Sequence, residues 1–284
     1  MNAQLDSLRQ AAERRGAAPA RAAAARVIAV GSGKGGVGTS TVATLLAATM
    51  AEAGHDVLLV DSGERIGALH HLLGVEPERT VASLRGGGAE PEDLLVHVAE
   101  RLAFLPGASS PQDAALPASE RRMLFRRAAS LYERYALVVV DAGATAESIL
   151  ATCAEGVGRF LAVTGVDRIS VVATYALVKT IHQRFPATAI EVLANRGDDV
   201  TSHRALEHLG DAAERFLGRP VPVAGTVPHD HDFASAMAAG LGAHEAAAGS
   251  SAAVALRSIG ERILAELDTP SRQASHMLRL HPRG

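Results

Sequence analysis

The chain has 284 residues, of which 48% are hydrophobic and 21% are charged, an ordinary globular composition that excludes wholesale disorder, collagen and coiled coil. Aromatic residues make up 3% and tryptophan is absent, which argues against stacking platforms for single-stranded nucleic acid, and a net charge of −3 gives no bulk electrostatic case for DNA binding. Cys153 is the only cysteine, which excludes a disulfide framework and a multi-cysteine metal site and fits a reducing cytosol.

The two ends of the chain differ from its middle. Residues 2–15 predict a short amphipathic helix, and residues 16–25 predict a low-complexity linker. Residues 269–284 predict a flexible polar tail, which leaves one domain over residues 26–268. The N-terminal segment lacks the apolar core of a signal peptide, and no window of about 18 apolar residues predicts a transmembrane helix. We therefore expect a cytoplasmic protein.

Apolar runs alternate with helical patterns through the middle of the chain. Strands are predicted at residues 26–31, 56–61, 102–105, 137–141, 160–164, 190–194 and 221–227. Helices are predicted from a glycine-rich turn to residue 53, in two short stretches of residues 64–100 around a turn at 86–88, and at residues 120–135, 168–184, 202–217 and 250–267. One apolar face of the last helix is expected to carry Val254, Leu256, Ile259, Ile263 and Leu267. This alternation predicts an α/β fold, a mostly parallel twisted sheet with helices on both faces.

The strongest local signal is a glycine-rich turn, Gly31–Thr41, with the sequence GSGKGGVGTST. It follows an apolar strand and opens a helix, the context in which backbone amides and a helix N-terminus bind a phosphate. Gly33, Gly38 and Ser40 fit the common phosphate-loop pattern, but Thr39 stands where that pattern has lysine. Taken alone, this pattern leaves open a glycine-rich turn that binds no ligand.

The wider window GKGGVG closely resembles the deviant Walker A loop of the MinD/ParA (SIMIBI-class) ATPases. Lys34 matches their signature lysine, which contacts the phosphates of the partner subunit across a nucleotide-sandwich dimer. Lys34 and Lys179 are the only lysines among the 28 basic residues, so a lysine at this position is notable. The resemblance implies the three-layer P-loop NTPase fold, ATP or ADP as ligand, and a loop contact made by Gly33, Lys34, Gly35, Gly36, Val37, Gly38, Thr39, Ser40 and Thr41.

Later segments extend the resemblance over roughly residues 26–268. VLLVDSGERIGALHHLLG resembles the family's switch I segment, and VVVDAGA resembles its Walker B and switch II segment. These matches imply Mg²⁺ ligands at Ser40, Asp61 and Asp141. LANR places Asn195 where the family contacts the adenine edge. VPHDHDFASAMAAG resembles a later motif that would place Pro228 and Asp230 near the base and ribose.

Within this superfamily the sequence is most similar to the flagellar-number regulators called FlhG, FleN or YlxH. LPGASS at residues 105–110, the Tyr-Ala-Leu-x-Lys helix and AQLDSLR at residues 3–9 carry this similarity. In that group the N-terminal helix stimulates the GTPase FlhF, so the resemblance implies an FlhF-type or flagellar partner for residues 1–15. A plain amphipathic cap is the alternative for this segment.

Two departures from the family pattern concern catalysis. Thr39 replaces the P-loop lysine, and Gly63 stands where the second switch I carboxylate orients the attacking water. Lys34, as a phosphate contact across the dimer, and Asp61, in a degenerate switch I, remain as candidate catalytic residues. Loss of one such contact typically lowers a rate by about 10²–10³-fold, so we expect weak or absent ATP hydrolysis. Glu64 could substitute in part for the missing carboxylate.

The remaining conspicuous residues predict no separate chemistry. The histidine pairs His70–His71 and His229–His231 are interpreted as surface residues, because no cysteine or carboxylate spacing completes a metal site. Cys153 is interpreted as a small core residue. Residues 276–281 resemble a remnant of the family's membrane-targeting helix but are too short and too weakly apolar to hold a bilayer alone, so at most transient inner-membrane contact is expected.

The sequence thus supports three functional hypotheses. The first is an ATP-dependent dimer switch, a pseudo-ATPase that controls flagellar number or cellular positioning. The second is a protein-interaction scaffold that keeps the fold without binding nucleotide, which Thr39 and Gly63 favour. The third is a ParA-like chromosome-partitioning ATPase that binds DNA. The last helices contain no run of basic residues that would support this hypothesis.

Overall fold

The computed structural model describes residues 26–63 and 67–268, and within them it forms one eight-stranded sheet. The strand order is β3-β4-β2-β5-β1-β6-β7-β8, and all neighbours are parallel except β3 and β4, which are antiparallel. The strands are β1 Val27–Ser32, β2 Val57–Asp61, β3 Val96–Ala99, β4 Leu102–Leu105, β5 Leu137–Asp141, β6 Arg159–Thr164, β7 Ala189–Gly197 and β8 Val223–Pro228. The predicted α/β fold with a mostly parallel sheet is confirmed.

Helices cover both faces of this sheet. They are α1 Thr39–Glu52, α2 Leu69–Leu73, α3 Pro111–Ala114, α4 Ala118–Ala128, α5 Ala146–Ala154, α6 Arg168–Arg184, α7 Asp199–Leu217, α8 His231–Ala238, α9 Ala243–Ala246 and α10 Ser251–Asp268, with 3₁₀ segments at Val81–Gly87, Pro91–Leu94 and Ala129–Arg134. Among these helices none is both long and apolar enough to cross a membrane. The segments 2–15 and 269–284, for which a helix and a polar tail are predicted, lie outside the described residues.

Two apolar cores lie on opposite faces of the sheet. Alternate residues of each central strand point into one core or the other, so β1, β2 and β5 are buried along their whole length. On one face α10 crosses α1 so closely that a Cβ at Gly260 would overlap Met50 Sδ. On the other face α4, α5, α6 and α7 all contribute to the core, and α6 packs directly against α7.

The strand register brings three chain segments to one edge of the sheet. Asp61 of β2 pairs with Asp141 of β5, and Asp141 lies beside Val30 of β1. Because parallel strands end at the same edge, the glycine-rich turn after β1 and both aspartates meet at the carboxyl ends of the central strands.

Several predicted elements differ from the structure. The edge strand β3 and the helices α3, α5, α8 and α9 were not predicted, and the predicted helix over residues 120–135 is α4 followed by a 3₁₀ segment. The predicted strand at residues 190–194 extends in both directions, while β8 begins two residues later than predicted. Val254, expected on the apolar face of the last helix, is 66% exposed, whereas Leu256 and Ile259 of the same helix are buried in the core.

A charged cluster fastens α10 to the strands beneath it. Glu191 of β7 is 4% exposed and accepts from Arg159 of β6 and, at 2.5 Å, from Arg262 of α10. Glu266 accepts from the same two arginines at 2.8 Å each. A buried carboxylate with two arginine partners holds its neighbours in place, and removing one partner of such a cluster leaves a buried charge uncompensated.

Glu191→Gln is expected to lower the free energy of unfolding by about 3 kcal/mol, because Arg159 and Arg262 lose the buried negative charge between them. Urea unfolding followed by circular dichroism measures the change. Glu52→Gln is the matched control, since Glu52 pairs with Arg257 at 2.6 Å in solvent, and its cost should stay below about 1 kcal/mol. Equal costs for both variants would contradict the role assigned to the Glu191 cluster.

Candidate functional site

The glycine-rich turn runs from the end of β1 to the start of α1. Gly36 and Gly38 have φ angles of 84° and 90°, a left-handed conformation that glycine adopts at no steric cost. Gly38 is the N-cap of α1, and no side chain caps the first turn of that helix. Uncapped amides at a helix N-terminus bind anions, so the turn retains the backbone of a phosphate site.

Two glycines of the turn are fixed by what lies behind them. A Cβ at Gly33 would overlap the Ala173 carbonyl oxygen of α6, and a Cβ at Gly38 would lie 2.5 Å from Asn195 Nδ2. A Cβ at Gly35 or Gly36 would meet nothing within 4 Å. The turn is therefore packed against the protein at its two ends and open at its middle.

Thr39, which replaces the P-loop lysine, is turned into the loop. Its hydroxyl donates to Ser32 Oγ at 2.8 Å, and the Ser32 hydroxyl donates to the Lys34 carbonyl oxygen at 2.9 Å. Thr39 is 7% exposed. The side chain at this position thus braces the loop and brings no positive charge to it. Val37, Ser40 and Thr41 complete the loop and the first turn of α1, as the sequence predicts.

The signature lysine contacts a carboxylate of its own chain. Lys34 Nζ lies 3.4 Å from both carboxylate oxygens of Asp167 and 3.5 Å from Ser170 Oγ. Asp167 is the N-cap of α6, and the hydroxyl and backbone amide of Ser170, more than Lys34, lower its pKa to about 2. The Lys34 and Asp167 side chains are 42% and 51% exposed, so water screens this contact and it constrains the lysine weakly.

Asp61 and Asp141 form a pair of buried carboxylates at the edge of the sheet. They are 3% and 4% exposed. Desolvation, with a smaller contribution from the Asp141 charge, raises the pKa of Asp61 to about 8. Burial also raises the pKa of Asp141, against hydrogen bonds from Ser40 and the Gly143 amide. Without a cation beside it, the carboxyl group of Asp61 therefore keeps its proton to a higher pH than an ordinary aspartate does.

Two glycines that the sequence analysis did not select enclose Asp61. A Cβ at Gly67 would overlap Asp61 Oδ2, and a Cβ at Gly107 would overlap the Asp61 carbonyl oxygen. The Gly67 amide also donates to the Ala108 carbonyl oxygen at 3.0 Å, which ties switch I to the LPGASS loop. Both glycines stand in segments quoted for the family resemblance, but only the fold brings them onto one aspartate.

These oxygen atoms suit Mg²⁺. Two adjacent carboxylates and the Ser40 hydroxyl are hard donors, and a magnesium site of this kind is completed by water and substrate phosphates. Burial raises the pKa values of Asp61 and Asp141, and a divalent cation bound between them would lower both values and favour the ionised carboxylates. No group of three or more histidine, cysteine, aspartate or glutamate side chains forms a metal cluster among the described residues.

The three residues predicted to lie near the base make structural contacts within the protein. Asn195 is 5% exposed and its Nδ2 donates to the Val37 carbonyl oxygen at 2.8 Å, which ties β7 to the phosphate loop. Pro228 ends β8 opposite Gly197. Asp230 caps two helices, accepting from the Phe233 amide of α8 and from the amide and hydroxyl of Ser251 in α10, which hold its pKa far below the usual range.

Arg196 is a site residue that sequence analysis missed. It is the one non-glycine residue with positive φ, 61°, in the described part of the chain. Its Nε would lie 3.5 Å from a Cβ at Gly38, so the strained backbone directs an exposed guanidinium towards the N-terminus of α1. The LANR motif contained this signal, but only the structure places the arginine against the loop.

Other sequence predictions have mixed outcomes. His70 is not a surface residue: it is 5% exposed on the short helix α2, between the core residues Leu69 and Leu73, and burial lowers its pKa. His229 and His231 are exposed, as predicted. Cys153 is confirmed as a core residue, and burial raises its pKa to about 12. Glu64 lies outside the described residues.

Comparison with known proteins agrees with this geometry. Residues 28–243 match the family described as the CobQ/CobB/MinD/ParA nucleotide binding domain. The chain therefore belongs to this family. It is 28% identical over 240 residues to the antiactivator FleN of Pseudomonas aeruginosa, which covers 84% of this chain and 86% of that protein.

Solved structures show the same fold. The cell division ATPase MinD of Pyrococcus furiosus superposes with a TM-score of 0.70 at 23% identity, over 84% of this chain and 98% of that one. The septum site-determining protein MinD of Pyrococcus horikoshii, a complex with Mg-ADP, gives a TM-score of 0.69 at 21% identity, over 90% of this chain and 99% of that one.

Asp61→Asn is expected to change the pH dependence of stability. In the metal-free protein Asp61 keeps its proton up to about pH 8 when folded, whereas in the unfolded chain it loses the proton at about pH 4, as an ordinary aspartate does. Folding therefore costs more as the pH rises between these values, by on the order of 1 kcal/mol per pH unit, and the variant lacks this slope.

Urea unfolding in chelator at about pH 5 and about pH 7 measures the two slopes. Asp232→Asn, at an exposed position of α8, is the control and should keep the wild-type slope. A wild-type slope in Asp61→Asn would show that Asp61 is ionised in the folded protein.

Proposed function

We propose that this protein is an ATP-dependent dimer switch of the MinD/FlhG type, with weak or absent hydrolysis, that controls flagellar number or cellular positioning. The observation that carries the proposal is the combination of a retained binding apparatus with two missing catalytic side chains. The loop backbone, Ser40 and the buried aspartate pair are in place, while Thr39 braces the loop and position 63 has no side chain.

Binding relies on groups that this chain keeps. The amides of the loop and of the first turn of α1 would hold the phosphates, and Ser40, Asp61 and Asp141 would hold Mg²⁺. Bound Mg²⁺ supplies charge neutralisation to the β- and γ-phosphates. Asn195 and Arg196 lie against the loop, and Asn195 is proposed to contact the adenine edge. Pro228 and Asp230 are proposed to border the base and ribose.

Hydrolysis lacks two of its usual supports. The hydroxyl of Thr39 cannot neutralise phosphate charge as a lysine does, and Gly63 offers only its amide, which donates to Asp61 Oδ1 at 3.2 Å. A water molecule near the γ-phosphate therefore has no carboxylate at position 63 to orient it. This chemistry supports a switch that is set by binding and release more than by turnover.

Dimerisation would change the partner of Lys34. In the single chain the ammonium rests on Asp167, and in a sandwich dimer it would leave that weak contact for the phosphates bound to the other subunit. The likeness to FleN, an antiactivator, supports a regulatory output and a flagellar partner, for which residues 1–15 are the proposed contact.

A scaffold that binds no nucleotide is the second candidate. It is favoured because polar side chains of the loop already have hydrogen-bond partners within the chain. Thr39 donates to Ser32, Ser32 donates to the Lys34 carbonyl oxygen, and Lys34 donates to Asp167. Chromosome partitioning on DNA has less support than either candidate, because the net charge of −3 gives no general attraction to DNA.

Wild-type protein is expected to bind a slowly hydrolysed ATP analogue in the micromolar range with Mg²⁺, as measured by calorimetry. Thr39→Lys should tighten binding about tenfold, because it restores a cation beside the phosphates. Thr180→Lys, which adds the same charge on α6, should leave affinity unchanged. No binding by wild-type protein at millimolar analogue would establish the scaffold instead.

The double variant Thr39→Lys/Gly63→Asp is expected to raise ATP turnover about 10²-fold or more, measured as phosphate release. A Cβ at position 63 would lie 3.3 Å from Asp61 Oδ1, so the loop accommodates the new side chain with a small shift. Equal turnover by the variant and the wild-type protein would contradict the roles assigned to positions 39 and 63.

Lys34→Ala is expected to bind the analogue within a few-fold of wild type but to stay monomeric, because its cation acts on the other subunit. Size-exclusion chromatography with analogue and Mg²⁺ measures the dimer. Lys179→Ala removes the only other lysine, from the exposed side of α6, and should dimerise as wild type does. A dimer formed equally well by both variants would exclude the proposed exchange.

A further inference from the structure

A cavity of about 580 Å³ lies on the face of the sheet away from α1, between α4 with its 3₁₀ extension and α5. Its volume is within the range of small-molecule sites, about 300–1,000 Å³. None of the loop residues Gly33–Thr41 lines it, nor do Asp61, Asp141 or Asn195. It is therefore separate from the candidate nucleotide site.

The lining of the cavity is chemically uneven. Because α4 and α5 both run from the carboxyl edge of the sheet towards its amino edge, Ser62 and Arg121 lie at one end and Val157 and Phe185 at the other. Its middle is apolar, lined by Phe125, Leu150, Ala151 and Tyr132.

Arginine gives the carboxyl-edge end a positive character. Arg121 is 8% exposed and keeps a partner of its own, whereas the neighbouring Arg122 is exposed and makes no ion pair within the described residues. Glu147 is the acidic residue at this end, and farther along, Arg126 pairs with Glu155 at 2.5 Å, while Glu133 and Arg184 supply one charge of each sign to the rest of the lining. A single anionic group placed here has arginine to meet and an apolar channel behind it.

We propose that this cavity binds a small amphipathic anion, an apolar body with one carboxylate or phosphate, with the anion at Arg122 and Arg121 and the body along Phe125, Leu150 and Ala151. The apolar walls would take up the body by the hydrophobic effect. The charged head decides the orientation and selects against neutral and cationic amphiphiles of the same length.

The cavity is joined to switch I by hydrogen bonds. Ser148 Oγ of α5 donates to the Ser62 carbonyl oxygen at 2.9 Å, and the hydroxyls of Ser62 and Thr152 lie 3.0 Å apart. Ser62 Oγ also donates to the Asp141 carbonyl oxygen at 3.1 Å. A ligand that displaces α5 therefore acts on the residue between Asp61 and Gly63, so the site is suited to an effector of the nucleotide switch, an extension that rests on the proposed function.

Calorimetry of the full chain with decanoate, without nucleotide, tests the site directly. Decanoate and decyl phosphate are expected to bind at one site per chain, and decanol and decyltrimethylammonium at least about tenfold more weakly. Tighter binding of decyl phosphate than of decanoate would point to a phosphate-bearing ligand, and the reverse to a carboxylate. Equal binding of all four amphiphiles, or no binding of the two anions, would overturn the proposal.

Variants then locate the site. Arg122→Gln should weaken decanoate binding about fivefold to tenfold, whereas Arg204→Gln, an exposed arginine on α7, should not. Ala151→Phe should abolish binding by filling the cavity, with Ala176→Phe on exposed α6 as control. If Ala151→Phe fails to fold, Ala154→Trp at the exposed rim takes its place. Wild-type affinity in the cavity variants would refute this location.

The effector role has a separate readout. Saturating decanoate should change the affinity for the Mg²⁺–ATP analogue at least about threefold in wild type and not in Arg122→Gln. Decanoate binding without such coupling would keep the site and refute its link to switch I. Failure of the chain to bind nucleotide would refute the proposed function while leaving the decanoate result intact.

Discussion

The register of β2 against β5 is the constraint on which the site depends. It sets Asp61 beside Asp141 with both carboxylates out of water, an arrangement that is costly unless the acids stay protonated or meet a cation. The neighbouring structure follows from that pair. Gly67 and Gly107 have no side chains because Asp61 occupies the space, and Ser40 reaches Asp141 from the first turn of α1.

The same edge of the sheet shows how a phosphate loop can keep its shape without its lysine. Thr39 and Ser32 close a chain of hydroxyls inside the loop, while Asn195 and the packing of α6 behind Gly33 fix its two ends. Loop geometry and loop charge are thus separable. The geometry depends on glycine and hydrogen bonds, and the charge now resides in Lys34 and Arg196, both on exposed side chains that can change partner.

Switch I, in turn, is held by the LPGASS loop on one side and by α5 on the other, with the cavity directly behind α5. Switch I is therefore fastened by hydrogen bonds to two different parts of the fold.

The sequence by itself determined the sheet, the phosphate loop and the family, because buried parallel strands read as continuous apolar runs and a glycine-rich turn between strand and helix has few other uses. It also identified the two departures, Thr39 and Gly63. It missed the edge strand β3, whose four residues give a weak signal, and it misplaced His70, because a helix of five residues does not reveal which side faces the core. It also misplaced Val254, an apolar residue on the exposed side of the long helix α10.

Only the tertiary structure decided the contacts between distant segments. Lys34 contacts Asp167, Gly107 contacts Asp61, and Arg196 faces Gly38, although the two residues of each pair are far apart in the chain. Asp230 likewise caps both α8 and the distant helix α10. Local propensity is a property of neighbouring residues, whereas such contacts depend on strand order and register, which are set by the packing of the whole sheet.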